Sequence, residues 1–329
     1  MKRRNFLGVL GGVAVACSSP LGVQQAERMR RVGVLMNYFE DDPDAQARLA
    51  SFLRGMQRLG WVDGRNVQIA IRWTAAVPSR IQASVAELIA IEPDAIFAPG
   101  SPAVALLKKA TNKIPIVFAG VVDPVGAGFI ASMARPGGNV TGFTQFEYEM
   151  SGKWLELLKE MSPNVTQAAI IRDTTIAAGA GQLRAIEAVA PSMGIELRSV
   201  AVPDAGEIER ALTEFARMPN GSLIVTGSAS TLVHRNLIIA LAARHRLPAV
   251  YFQSSFVEHG GLMSYGIDLL EHFGHAAAYV DRILKGEKPA DLPVQAPIKY
   301  ELAINQQTAK TLGLTVPLSL LARADKVME

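Results

Sequence analysis

Short apolar runs alternate along this chain with longer stretches in which apolar residues recur every three to four positions. Arg31 to Met36 is the first run. Ala47, Leu49, Phe52, Leu53, Met56 and Leu59 then mark the buried face of a helix over 44–59, which Gly60 closes. Val67, Ile69 and Ile71 alternate with polar neighbours, as a half-buried strand does. The spacing next predicts a helix over 81–91, a strand over 94–98, a helix over 101–110, a strand over 115–119 and a short helix over 125–134. Pro136-Gly137-Gly138 interrupts the rhythm with a tight turn, and the strand beyond it leads into a second series. That series comprises a helix over 151–161, a strand over 167–172, a helix over 180–193, a strand over 196–202 and a helix over 205–217, with further strands and helices to a final apolar helix. Such alternation predicts an α/β fold of two doubly wound parallel-sheet lobes.

One phrase occurs twice. Ala95-Ile96-Phe97-Ala98-Pro99-Gly100-Ser101 is an apolar run ending in Gly-Ser, followed by a helical stretch and Ile114-Pro115-Ile116-Val117-Phe118. Leu223-Ile224-Val225-Thr226-Gly227-Ser228 repeats that order and leads to Leu247-Pro248-Ala249-Val250-Tyr251-Phe252. Each copy reads as strand, Gly-Ser turn, helix and Pro-led strand, a βαβ unit. Ser101 is expected to cap its helix, with Pro102 at the first helical position. A helix start offers free N–H groups and the positive end of a dipole, and a serine adds a hydroxyl. Two such turns suit a carboxylate or another small anion held between two lobes. In open parallel sheets ligands gather beyond the carboxyl ends of the strands, which adds Asn37, Tyr38, Thr226 and Gln253 to Ser101, Pro102 and Ser228 as candidate ligand-binding residues. Asp123, beside its strand end, is a candidate acceptor for a ligand ammonium.

The first residues add a destination. Lys2, Arg3 and Arg4 precede an apolar stretch from Phe6 to Ala16, and Ala14-Val15-Ala16 is a small-residue cleavage pattern, so residues 1–16 read as an export signal. The stretch is too short for a membrane span of ~20 residues. Arg3-Arg4-Asn5-Phe6-Leu7 fits a twin-arginine signal as well as an ordinary secretory one. Cys17 is the sole cysteine, so it has no internal disulfide partner; it is either a lipid-bearing first residue or an incidental thiol at a plain cleavage site. Removing the signal takes away three basic residues and no acid, which brings the formal net charge from +3 to zero. No Lys/Arg-rich run remains to bind nucleic acid.

Other motifs carry less. Gly126-Ala127-Gly128-Phe129-Ile130-Ala131 matches a dinucleotide fingerprint, but Asp123-Pro124 intervenes after the strand and the carboxylate repels a pyrophosphate. His272 and His275 lie three apart near Asp268 and Glu271, a spacing that fits either a metal site or a solvated helix face. Neither a G-x-S-x-G elbow nor a Walker loop is present, and no nucleophile, base and orienting group fall into a catalytic arrangement. The sequence calls for no cofactor.

Pro136-Gly137-Gly138-Asn139-Val140-Thr141-Gly142, with Asp123-Pro124-Val125 upstream, resembles the ABC transporter substrate-binding proteins related to the tryptophan-binding type. So do the stretch from Arg282 to Val294 and the ending Leu312-Gly313-Leu314-Thr315-Val316-Pro317 with Leu320-Leu321-Ala322-Arg323-Ala324-Asp325. The resemblance implies a type I periplasmic-binding fold whose chain crosses three times between lobes that close around a solute. It implies a monomeric receptor outside the cytoplasm, with a membrane permease and an ATPase as partners and an amino acid or aromatic acid as ligand. It matches Ser101, Asp123 and Asp268 to the family's site. Where relatives read Tyr-Pro-Phe-Arg-Glu, this chain has Tyr251-Phe252-Gln253-Ser254-Ser255, so a charged pair is missing at the cleft rim. The expected division is a signal over 1–16, a tether over 17–30, one lobe from 31–143 plus about 266–300, and the other from 144–265 plus part of 301–329. Hinges are expected near Phe143-Thr144, Tyr265-Gly266 and Glu301. A ligand sensor of the same fold and an exported α/β enzyme are the alternative readings.

Overall fold

The computed structural model describes residues 28–329; the expected export signal over 1–16 and Cys17 lie outside them. The first sheet begins with β1 (Arg30–Met36), β2 (Val67–Trp73) and β3 (Ala95–Phe97). It is completed by β4 (Ile116–Val121) and β5 (Val140–Thr144), and all five strands run parallel in the order β2-β1-β3-β4-β5. Helices α1 (Pro43–Arg58), α2 (Pro78–Ala90) and α3 (Ser101–Ala110) connect them. A strand buried on both faces sends alternate residues into two cores. Val32, Val34 and Met36 of β1 pack on one side, Leu35 on the other with Ile96, Ala98 and Phe118.

The second sheet follows α4 (Ser151–Met161). It contains β6 (Gln167–Arg172), β7 (Glu196–Ala201), β8 (Gly221–Val225), β9 (Ala249–Tyr251) and β10 (Met263–Gly266). Between them lie α5 (Ala177–Met193), α6 (Ala205–Phe215), α7 (Ala229–Val233), α8 (Arg235–Arg244) and α9 (Ser254–Glu258). After β10 the chain returns to the first sheet. Helix α10 (Leu269–Leu284) lies along α1, where Phe273 meets the edge of Phe97 at 5.2 Å while Phe52 stacks on Phe97 at 4.4 Å. Gln295 then bridges to Phe143 of β5. β11 (Glu301–Asn305), α11 (Gln306–Thr311), α12 (Leu318–Arg323) and β12 (Lys326–Met328) rejoin the second sheet, in the order β12-β11-β10-β9-β8-β6-β7. This sheet is parallel except where β11 runs antiparallel to β10. The chain therefore passes between sheets three times, after β5, after β10 and before β11.

Two local expectations fail for identifiable reasons. Residues 125–134 form turns instead of a helix: the Asp123 carboxylate accepts the Gly126 N–H at 2.8 Å, and Gly128 takes φ 72°, so successive turns close before a helix can propagate. The strand after Pro136-Gly137-Gly138, β5, completes the first sheet, and the chain passes from it to the second. The single helix expected after Ser228 divides at His234 into α7 and α8.

His272 of α10 sits where the three passages converge, in a cavity of about 290 Å³ lined by Phe143, Asp268, Glu271, His275, Gln295 and Lys299 among others. Burial, with help from the neighbouring His275 and against the pull of Asp268, pushes its imidazole down to about 4. The unfolded chain takes up this proton near pH 6.5, so stability falls as pH drops from about 6.5 to about 4 and levels off below. The loss amounts to roughly 3 kcal/mol at 1.36 kcal/mol per pH unit. Urea unfolding at pH 7 and pH 4 should show this difference, and His272→Gln should remove that share of it.

Candidate functional site

The carboxyl ends of both sheets carry the turns that the repeated phrase marks, but the turns are built differently. In the first, Gly100 is the N-cap, at φ 84°, and its lack of a side chain leaves Ser101 inside the first turn of α3. The expected cap role of Ser101 is thus overturned. Its hydroxyl, on a residue only 6% exposed, makes no hydrogen bond among the described residues. In the second, Ser228 is a true N-cap. Its Oγ accepts the Thr231 N–H at 3.0 Å, and the Thr231 hydroxyl in turn accepts the Ser228 N–H at 3.2 Å, a reciprocal capping box. The two serines thus sit differently: Ser101 follows the cap of its helix, and Ser228 is the cap of its own.

The remaining predicted residues differ as well. Asn37 is fully buried; its amide donates to the Pro99 carbonyl at 3.1 Å and accepts from the Thr74 hydroxyl at 2.9 Å, so it braces the β3–α3 turn. The Tyr38 ring lies under the Arg48 guanidinium at 5.2 Å, and burial pushes its phenol up. The Thr226 hydroxyl donates to the Ile171 carbonyl at 3.0 Å. Asp268 caps α10 through the Leu270 N–H at 2.8 Å and is exposed. Pro102 shapes the first turn of α3. Asn37, Tyr38, Thr226 and Asp268 thus have structural work in hand. Asp123 has one oxygen on Gly126 and faces Tyr148 closely enough to push that phenol up, second to burial. Gln253 is 5% exposed with its side-chain oxygen unpartnered.

The two strand-end regions meet through Phe146. Its carbonyl accepts the Asp123 N–H at 3.1 Å, and a Cβ on Gly227 would lie 3.0 Å from its ring and 3.5 Å from Gln145 Oε1. A methyl group at Gly227 would therefore press on the Phe146 and Phe252 rings. The backbone there is held by Gln182, which accepts the Gly227 N–H at 2.8 Å and donates to its carbonyl at 3.2 Å. Tyr148 packs over Gly181 of α5, where a Cβ would fall 2.5 Å from the ring. Nearby, just past β6, Asp173 accepts from the N–H and hydroxyl of Thr175 and from the Ser230 hydroxyl.

Buried polar atoms are normally paired, and each exception calls for a reason. Here Gln145 Nε2, the Tyr148 hydroxyl and Gln253 Oε1 are buried without partners. Gln145, Tyr148, Asp173 and Gln182 were not singled out from the sequence. The rule that selected Ser101 also reaches Gln145 and Asp173, each of which lies just past a strand's carboxyl end. Tyr148 and Gln182 arrive through the crossing and the packing of α5, which leave no local sign. No group of three or more His, Cys, Asp or Glu among the described residues is placed to hold a metal.

The family model for ABC transporter substrate binding protein matches residues 33–328. The chain belongs to the ABC transporter substrate-binding protein family. As a member of that family it is a substrate-binding protein of the type I periplasmic-binding fold. It is 24% identical over 296 residues to a tyrosine-binding protein of Clostridioides difficile (strain R20291), a match covering 88% of this chain and 82% of that one. Among solved structures, a Streptococcus pneumonia ABC domain in complex with L-Trp superposes with a TM-score of 0.83 at 26% identity, covering 91% of this chain and 99% of that one. A conserved domain protein from Vibrio cholerae gives 0.84 at 26% identity, covering 91% of this chain and 100% of its own. The ligand-free, open structure of a Clostridium difficile substrate binding protein gives 0.64 at 23% identity, over 91% of this chain and 99% of that one.

Proposed function

We propose that this substrate-binding protein is the extracytoplasmic receptor of an ABC importer and that it closes its lobes on an amino acid with an aromatic side chain. The observation that carries this reading is the set of buried, unpartnered polar groups on Gln145, Tyr148 and Gln253 near the facing strand ends. A zwitterion supplies what they lack. Its carboxylate suits the start of α3 and the Ser101 hydroxyl, and its ammonium suits the free oxygen of Asp123. The tyrosine- and L-Trp-binding relatives make L-tyrosine and L-tryptophan the first solutes to test. Thermal unfolding with each at a hundredfold excess over its Kd should reveal about 2.7 kcal/mol of added stability. No shift with either amino acid, or with other amino acids, would sink the reading.

Ser101→Ala removes a hydroxyl donor to a charged group, worth roughly 1.5–3 kcal/mol, or about ten- to a hundredfold in affinity. Because Gly100 and not Ser101 is the cap, unfolding of the ligand-free protein should hardly change. Ser228→Ala should do the reverse and cost ~1 kcal/mol of stability through the lost cap. Calorimetric titration beside denaturant unfolding separates the two effects.

A further inference from the structure

Arg235, the first residue of α8, is 4% exposed and reaches out of the second lobe to the start of α1 in the first. Its Nη1 lies 2.5 Å from Asp44 Oδ2 and its Nη2 lies 3.5 Å from Asp42 Oδ2. Both acids belong to the helix start. Asp42 caps α1, with Oδ1 accepting the N–H groups of Asp44 and Ala45, so Oδ2 is left pointing at the arginine. On the arginine's own side, His259 Nδ1 is 2.7 Å from the Ser255 carbonyl and donates its proton there. Its Nε2 is then an acceptor, 3.4 Å from Arg235 Nη2. Arg235 Nε is buried without a partner.

We propose that Arg235 is a positioning residue for solute capture: it clasps Asp42 and Asp44 across the cleft and sets how much of the time the lobes are closed. The proposal rests on the receptor reading above but concerns a contact the solute does not make. The space beside the clasp, bounded by Asp44, Arg48, Gln253, Ser255, Glu258 and Asp268 among others, is about 80 Å³.

The energetics act on one state. When the lobes part, Arg235, Asp42 and Asp44 all regain water. When they close, all three are desolvated together and repaid by one another. Removing the arginine leaves two half-buried carboxylates beside each other without their cation only in the closed state, which shifts the balance toward open. Removing all three charges takes away both the attraction and the desolvation penalty, so the closed fraction should largely recover.

The test needs no solute and so stands apart from the identity of the ligand. Spin labels on Gln57→Cys in α1 and Glu187→Cys in α5, with Cys17→Ser removing the native thiol, report the distance between lobes by pulsed electron resonance. The expected result is a short-distance population in the ligand-free protein that falls about tenfold or more in Arg235→Met. It should return toward the parental value in Arg235→Met combined with Asp42→Asn and Asp44→Asn. Thermal unfolding of each variant checks that the lobes themselves are intact. A ligand-free protein that is wholly open, an unchanged distribution in Arg235→Met, or a triple variant no better closed than Arg235→Met would each overturn the clasp. None of these outcomes bears on whether L-tryptophan or L-tyrosine binds.

Discussion

Asp123→Asn is expected to lower affinity for L-tryptophan by roughly ten- to a hundredfold, the loss of one charge-assisted hydrogen bond worth about 1.5–3 kcal/mol. Affinity for indole-3-propionate, which keeps the ring and the carboxylate but lacks the ammonium, should hardly move. Asparagine preserves the turn, because its side-chain oxygen still accepts the Gly126 N–H that Asp123 Oδ1 holds at 2.8 Å. The left-handed backbone at this position, φ 39°, is one that asparagine adopts as readily as aspartate. Only the charge is therefore removed. Calorimetric titration of both ligands into both proteins gives the comparison. If the two affinities fall together, Asp123 organises the turn and the ammonium is read elsewhere.

Gly142→Ala should unfold the first lobe or come close to it. Gly142 pairs with Phe118 across β4 and β5 at φ 150°, and a Cβ there would lie 2.1 Å from the Phe118 carbonyl oxygen and 2.6 Å from its nitrogen. Both neighbours are backbone, so no rotamer change relieves the clash. Its own carbonyl accepts the Gln295 N–H at 3.0 Å, which ties the strand to the last passage between lobes. Backbone strain and overpacking together make the cost about 4 kcal/mol. Urea unfolding should show a midpoint lowered by that amount or no folded baseline at all. A wild-type midpoint would mean that the strands can move apart there.

The doubly wound plan was legible because strands buried on two faces read as unbroken apolar runs, as at Val32 to Met36, while helices show their buried stripe, as in α1. The place of α10 was not: its apolar spacing announces a helix, but nothing local says that it packs against α1 and β4 in the first lobe; that part came from the family resemblance. For the proposed site, the rule of strand carboxyl ends selected Ser101 and Asp123. It could not tell a capping serine from one that follows the cap, since Gly100-Ser101-Pro102 and Gly227-Ser228-Ala229 differ in which residue takes the cap, and that choice depends on φ. Tyr148 and Gln182 were invisible because their roles come from Gly181 and Gly227, bare positions against which they pack or bond.

The packing of Phe273 against Phe97 also bears on the order in which the protein can mature. A chain emerging from the ribosome presents β1 to β5 first, yet the face of that sheet covered by α10 stays open until residues 269–284 have followed, after most of the second lobe. The N-terminal unit therefore has no finished hydrophobic interior during nearly all of synthesis. A nascent chain halted before α10 should remain protease-sensitive across β1 to β5, even though every strand of that sheet has already been made. Slow completion of this kind keeps a polypeptide threadable, and here it follows from the position of one helix in the sequence.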